Sequence, residues 1–266
     1  MDPSIHPGGS APRDPPVHPG GSAPRDTPVV VGFDTATATT AVAVTRGGEV
    51  VRERGVGRGP DGRPRHAATL LPEIEAAISD AGGWERVGLI AVGVGPGSFT
   101  GLRIGVATAR ALAQARGLPL VGVGSLAALA RGIEVGAGAS DRPVLALIDA
   151  RRGELFAALR PRAGAELSAP FVTSPEALIE RVSRLAEAPL AAGDGSLRFR
   201  AQLEAGGVEV LADEDPAHRI RARHVCDLAT EARAGRPDPI EPIYLRRPDA
   251  EVWRDRRERD QRADRP

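Results

Sequence analysis

The densest chemical signal in this 266-residue chain is a glycine-rich turn, Gly95-Pro96-Gly97-Ser98-Phe99-Thr100-Gly101, between an apolar run and a helical stripe. Glycines remove side chains where a backbone must come close to something, and the free N–H groups of a helix start attract anions. The turn is no P-loop, because no Gly-Lys-Ser/Thr follows and the chain has no lysine at all. Nor is it the dinucleotide fingerprint, since Gly93-x-Gly95-x-x-Ser98 lacks the third glycine. A tight structural turn and a phosphate-contacting loop both fit these residues.

The other candidates are sparser. Arg103 follows the turn and lies off the apolar face of the next helix, as a surface arginine or a partner contact would. Asp149 to Glu154, with Arg151 and Arg152 between them, fits a charged hairpin tip or a recognition loop, the tip being the favoured reading. Asp213-Glu214-Asp215 matches a metal cluster in composition only and reads as a solvated loop. His218 and His224 are six residues apart and would not share a helix face. The lone Cys226 permits no internal disulfide, fits a reducing compartment, and reads as a small buried hydrophobe.

These groups need elements to position them, and the periods are clear. Val29 to Phe33 is a continuous apolar run closed by Asp34, the pattern of a buried strand. Thr39–Thr45 and Glu49–Arg54 read as two more strands around Gly47-Gly48. His66 to Asp80 puts Leu70, Leu71, Ile74, Ala77 and Ile78 on one helical stripe. Leu89–Val94 is a strand, and Leu102–Ala115 a helix with Leu102, Gly105, Val106 and Ala109 on one face. Small residues on that face would admit a second helix closely. Leu120–Val123, a helix from Ser125, and the hairpin Val144–Asp149 with Glu154–Leu159 open a second half. Ser174-Pro175-Glu176 reads as the cap and first turn of a helix. Leu190–Ala192, Gly193-Asp194-Gly195-Ser196, Val208–Leu211 and a helix near His224–Ala234 complete it. Strands first and then strand–helix alternation, twice over, predict an α/β fold of two subdomains.

Composition narrows the classes. The 35 arginines balance 35 acids, so no global basic field recruits nucleic acid or anionic lipid. The absence of lysine and asparagine, whose codons are A/T-rich, points to mutational bias and discounts the abundance of Ala, Gly, Pro and Arg as a signal. No secretory leader is expected, and no run of about 20 apolar residues is present. A cytoplasmic protein without membrane contact is therefore expected. Residues 1–28 repeat a twelve-residue Pro/Gly unit, from His6 and again from His18, and read as a disordered extension. Residues 247–266 read as a charged disordered tail. Aromatic residues are only 3% of the chain, few for base-stacking platforms.

Several segments together resemble a known family. Gly95 to Gly105, read through Leu102-Arg103-Ile104, is similar to the signature of the TsaB family, bacterial tRNA threonylcarbamoyladenosine biosynthesis proteins. Phe33-Asp34-Thr35-Ala36-Thr37, His66 with Leu70-Leu71-Pro72, Ile148 to Phe156, and Pro242-Ile243-Tyr244-Leu245-Arg246 resemble its other motifs, in order, from Val29 to Arg246. The resemblance implies an actin/Hsp70/sugar-kinase-like (ASKHA) fold of two related α/β lobes. Residues 29–117 would form the N-terminal lobe, completed by about 224–246, and 118–223 the C-terminal lobe. It also implies a non-catalytic scaffold, paralogous to the catalytic TsaD, in a complex with TsaD and the ATPase TsaE. That complex forms N6-threonylcarbamoyladenosine at adenosine 37 of tRNAs reading codons that begin with A.

The resemblance carries expectations for particular residues. TsaD holds its metal on a His-x-x-x-His helix, whereas here Leu70 stands where the second imidazole would follow His66; no metal is expected. Asp34, Thr35 and Thr37 fall where kinases of this fold place a phosphate loop. Ala36 replaces the glycine there, which suggests a vestige, with Asp34 bonded to nearby hydroxyls and amides. Catalytic residues and a cofactor of its own are therefore not expected, and nucleotide would bind, if anywhere, at the interface with TsaD. The two helices 65–80 and 102–115 would form the homodimer or TsaD interface through His66, Leu70, Ile74, Leu102, Arg103, Gly105, Val106 and Ala109. Net neutrality leaves tRNA contact local or to the partners. The rival readings are a free-standing ATPase or kinase of the same fold and a glycoprotease-like metallopeptidase.

Overall fold

The computed structural model describes residues 29–136, 141–162, 165–232 and 240–245. The extension at 1–28, the tail at 247–266, Arg246 and the helix end at residue 234 lie outside the described residues.

Val29–Asp34 (β1) is buried along its whole length, with Val29, Val31 and Phe33 in one core and Val30 in another. A strand covered on both faces reads as a continuous apolar run, which is why it stood out. Thr40–Arg46 (β2) pairs antiparallel with β1, and Glu49–Val56 (β3) pairs antiparallel with β2. On the other side Val87–Gly95 (β4) and Leu120–Gly124 (β5) run parallel, giving the order β3-β2-β1-β4-β5. The second sheet repeats the plan. Val144–Arg151 (β6) leads, Glu154–Arg160 (β7) and Phe171–Thr173 (β8) pair antiparallel on one side, and Leu190–Ala192 (β9) and Glu209–Val210 (β10) parallel on the other. Two lobes of one topology are therefore present, as expected.

Helices His66–Asp80 (α1) and Phe99–Arg116 (α2) cover one face of the first sheet. Ser125–Gly136 (α3) and Ala222–Ala232 (α7) lie between the sheets, and their Leu126, Leu129, Ile133, Val225 and Cys226 join both lobes in a central core. Pro175–Val182 (α4) and Arg200–Ala205 (α6) bury Leu178, Val182 and Leu203 on the far face of the second sheet, and Asp194–Arg198 (α5) follows β9. Ser174 caps α4 by accepting the Ala177 N–H at 3.3 Å, with Pro175 at the first helical position, as its sequence predicts.

Three features differ from the sequence reading. Strand β5 belongs to the first sheet although the division at residue 117 placed it in the second lobe; its short run fixes a strand but only pairing with β4 fixes its sheet. Helix α2 starts at Phe99 rather than Leu102, because the Ser98 hydroxyl accepts the Gly101 N–H at 3.3 Å and makes Phe99-Thr100-Gly101 its first turn. Finally, the face of α2 carrying small residues meets the chain's own first loop and the start of its neighbour α1 rather than a helix of a partner.

Candidate functional site: the cleft between the lobes

The two lead strands end side by side at a cleft of about 420 Å3. Thr37, Gly97, Ser98, Phe99 and Thr100 line it from the first lobe, Asp149, Arg151, Phe156 and Asp194 from the second, and Ile243–Leu245 cross its edge. The glycine turn, the end of β1 and the β6–β7 hairpin, far apart in sequence, thus meet in space.

Asp34 closes the first lobe from within. Its Oδ1 accepts the Ala36 N–H at 2.7 Å, and its Oδ2 accepts the Ser125 hydroxyl at 2.5 Å. The Ser125 oxygen in turn accepts the Gly95 N–H at 3.1 Å, so one carboxylate joins the ends of β1 and β4 to the start of α3. Burial pushes the Asp34 carboxyl above its ordinary range, with the bonds from Ser125 and Ala36 opposing the shift. Asp34 is therefore a strand-end carboxylate bonded to nearby hydroxyls and amides, as read from its position.

The glycines serve the same seal. Thr35 is fully buried, and its hydroxyl donates to the Gly101 carbonyl at 2.7 Å. A methyl group on Gly101 or Gly105 would overlap Thr35, and one on Gly97 would overlap Ala36. The Ser98 N–H donates to the Ala36 carbonyl at 2.7 Å. Of the two readings left open, the packed turn accounts for these three glycines, which let α2 press onto the loop 34–36. Gly95 itself sits at φ +99°, a conformation that favours glycine. Only Thr37 of the three proposed phosphate-loop residues lines the cleft; Asp34 and Thr35 are enclosed.

The second lobe is looser. Asp149 Oδ1 accepts the Arg151 N–H at 2.9 Å, and its Oδ2 lies 3.2 and 3.3 Å from the guanidinium groups of Arg151 and Arg198. Asp194 accepts the Asp149 N–H at 3.0 Å, and burial raises its pKa, the Asp149 amide bond opposing. Arg151 and Arg152 both hold positive φ, +64° and +54°, an uncommon state for residues with a Cβ. At the edge of the cleft Arg103 stacks 4.0 Å over Phe99, whose ring centre is 5.2 Å from that of the half-exposed Tyr244. Three of the chain's eight aromatic residues, Phe99, Phe156 and Tyr244, line this one cleft, which composition alone did not reveal. Ser125 was missed as well; its only trace in the sequence is a hydroxyl at a helix start after Gly124.

The proposed interface residues lie elsewhere. His66, Leu70, Ile74, Leu102, Gly105, Val106 and Ala109 are all buried against the chain's own first sheet and loops, so these side chains cannot meet a partner. The apolar stripe of an amphipathic helix faces its own core first, which the sequence pattern cannot distinguish from a docking face. Of the eight, Arg103 alone is exposed. The surface of α1 and α2 is instead made of Ala67, Ala68 and the exposed Leu71, with Ala107, Arg110, Ala111 and Gln114.

The histidines are internal. His66 Nδ1 lies 2.8 Å from the Thr40 hydroxyl, and burial lowers its pKa, with the backbone at Thr37 opposing. His218 is held by the Gly193 N–H and by the Leu211 and Ala212 carbonyls, on a different element from His224. Asp213 pairs with Arg200, and Asp215 accepts the Ala217 N–H at 2.8 Å to cap a short 3-10 turn. No cluster of three metal-ligating side chains occurs among the described residues.

The chain is 32% identical over 228 residues to the tRNA threonylcarbamoyladenosine biosynthesis protein TsaB of Escherichia coli K12, covering 82% of this chain and 94% of that protein. The chain belongs to the TsaB family. The family model described as TsaD, tRNA N6-adenosine threonylcarbamoyltransferase, matches residues 60–188. Among solved structures, YeaZ from Pseudomonas aeruginosa superposes with a TM-score of 0.65 at 27% identity, over 82% of this chain and all of that one. The ROK hexokinase of Thermus thermophilus, at 14% identity and a TM-score of 0.51 over 78% of this chain and all of that one, shares the fold alone. The ASKHA-type architecture and a role in tRNA threonylcarbamoyladenosine biosynthesis follow from these matches.

Proposed function

We propose that this chain is a non-catalytic scaffold and activating subunit of a tRNA threonylcarbamoyl-transferase complex. In that reading TsaD transfers the threonylcarbamoyl group to adenosine 37, a TsaE-type ATPase drives the cycle, and the complex works in the cytoplasm. Family membership supports the pathway. The observation that carries the scaffold role is the closure of the first lobe, where the carboxylate at the end of the lead strand is buried and fully bonded at the place a kinase would offer it to phosphate. No helix among the described residues is long and apolar enough to cross a membrane, in keeping with that setting.

The partner face is the outer side of α1 and α2, where Ala67, Ala68, Leu71 and Ala111 form a surface poor in charge beside Arg103 and Arg110. Homodimers in isolation and heterodimers with TsaD would both use it. Any nucleotide sits at the junction with TsaD rather than in this chain alone. Depleting the chain and digesting cellular tRNA to nucleosides tests the proposal: threonylcarbamoyladenosine should disappear, and return when the purified chain is added to TsaD, TsaE and threonylcarbamoyl-AMP. Transfer by the isolated chain, or undiminished modification after depletion, would refute it.

A further inference from the structure

The arginines are not evenly spread around the molecule. The segment 57–65, Gly-Arg-Gly-Pro-Asp-Gly-Arg-Pro-Arg, carries Arg58, Arg63 and Arg65 against a single acid, Asp61, in a chain whose net charge is zero. It has a definite shape of its own. Gly59 and Arg63 bond through their backbones at 2.9 Å, Arg58 donates to the Gly62 carbonyl at 2.8 Å, and Asp61 accepts the Arg63 N–H at 3.1 Å. Its residues are exposed except Gly59, and Pro64, between Arg63 and Arg65, forms part of the cleft wall.

On the same lobe Arg103 stacks on Phe99, which lines the cleft, and across the opening Arg151 stands on the wall of the second lobe. No carboxylate among the described residues pairs with Arg63, Arg65 or Arg103. Arg151 shares Asp149 with Arg198, two guanidiniums on one carboxylate. Asp194, the other acid lining the cleft, is partly buried and accepts the Asp149 amide. Helix α1 begins right behind Arg65 with no acid in its first turn and no side-chain cap, so its positive end adds to the same field. Arginines at that end oppose the helix dipole and do nothing for the stability of the free chain. An anion would satisfy both.

We propose that this mouth docks the sugar-phosphate backbone of an RNA strand, with Arg63, Arg65, Arg103 and Arg151 on phosphates and an unpaired base stacked on the Phe99–Tyr244 pair. Guanidinium groups spaced around an opening suit successive phosphates, and a half-exposed ring beside them suits a base face. The assignment rests on the reading that the chain acts in tRNA modification, and names the part of the substrate this chain itself would hold.

Fluorescence-labelled bulk bacterial tRNA titrated with the full-length chain, alone and with its TsaD homologue, is the test. Binding should weaken with salt, log K falling against log salt with a slope of about −3 for four phosphate contacts. The pair Arg63→Ala and Arg65→Ala should cut that slope by about 1 per residue removed. Tyr244→Ala should weaken binding about tenfold with the slope unchanged, because stacking releases no counterions. Arg184→Ala, exposed just past the end of α4 and paired with Glu180, should change nothing. Circular dichroism establishes that each variant is folded. Binding that is absent both alone and with TsaD, insensitive to these arginines, or displaced by mononucleotide at matched ionic strength would overturn the proposal. If depletion abolishes the modification but the arginine variants restore it fully, the docking site falls and the scaffold role stands; if depletion changes nothing, the scaffold role falls first.

Discussion

Asp34 and Asp149 hold the same station in the two lobes, each at the end of the strand that leads its sheet, and each uses Oδ1 to accept the amide two residues ahead, at 2.7 and 2.9 Å. The second oxygen separates them. In the first lobe it meets the Ser125 hydroxyl in a site closed to water; in the second it meets two arginines at the edge of an open cleft. Repetition of a topology therefore fixed where the carboxylates stand and left their chemistry to one neighbour each. The first became a structural bolt, and the second is held by two partly exposed guanidiniums at the cleft wall.

The comparison predicts that the first lobe will tolerate almost nothing, and the largest effect should come from the back of its seal. Ala109 has no exposed surface, so Ala109→Arg must bury a guanidinium without a partner and should unfold the chain, a loss above about 5 kcal/mol seen as missing cooperative thermal unfolding. Ala111→Arg, two residues on and exposed, should leave the melting temperature within a few degrees and prevent co-elution with TsaD. An Ala109→Arg chain that melts normally would show that the helix face is not packed as described.

Next in size is the glycine seal. Gly101→Ala puts a methyl into the Thr35 carbonyl, backbone against backbone, and should cost about 3 kcal/mol by denaturant titration. Direct interrogation of the two carboxylates comes third. Asp34→Ala strands the Ala36 amide and the Ser125 hydroxyl in a dry site, and should cost about 2–3 kcal/mol. Asp149→Ala removes partly exposed ion pairs and should cost below about 1 kcal/mol. Equal losses in the two variants would end the distinction between a sealed and an open lobe.

Much of this was legible from residues alone, for identifiable reasons. Helix α1 was readable to both ends because its stripe is long and Gly82-Gly83 stops it. The start of α2 was not, since the glycines that advertise a loop are its first turn, and the Ser98 cap that decides the matter acts through one hydroxyl. The burial of Asp34 was expected from its strand-end position, whereas its partner Ser125 lies 91 residues away and only the fold brings it near. Seven of the eight interface candidates are core residues of this chain, because burial in a subunit and burial between subunits leave the same apolar period. The cleft's aromatic corner was invisible in a chain with so few rings, since proximity rather than number makes Phe99 and Tyr244 a surface.

A pH-dependent effect, absent near neutrality, reports whether the sealed lobe is dry as far as α7. Cys226 packs against β1 at Gly32, and burial pushes its thiol up to about 12, with the Thr45 hydroxyl opposing. The folded value lies above the ordinary 9.0, so its contribution to stability is complete below pH 9 and is lost as pH rises from there toward 12. One unit above the ordinary value the loss should be about 1.4 kcal/mol, and replacing the thiol by Cys226→Ala should flatten the melting temperature over that range. At pH 8 iodoacetamide should leave the folded chain unmodified and label it once denatured, because the thiolate is the nucleophile and the native state holds almost none. Rapid labelling of the native chain would mean that water reaches the back of β1, and the contrast between Asp34 and Asp149 would then have to be attributed to their partners alone and not to burial.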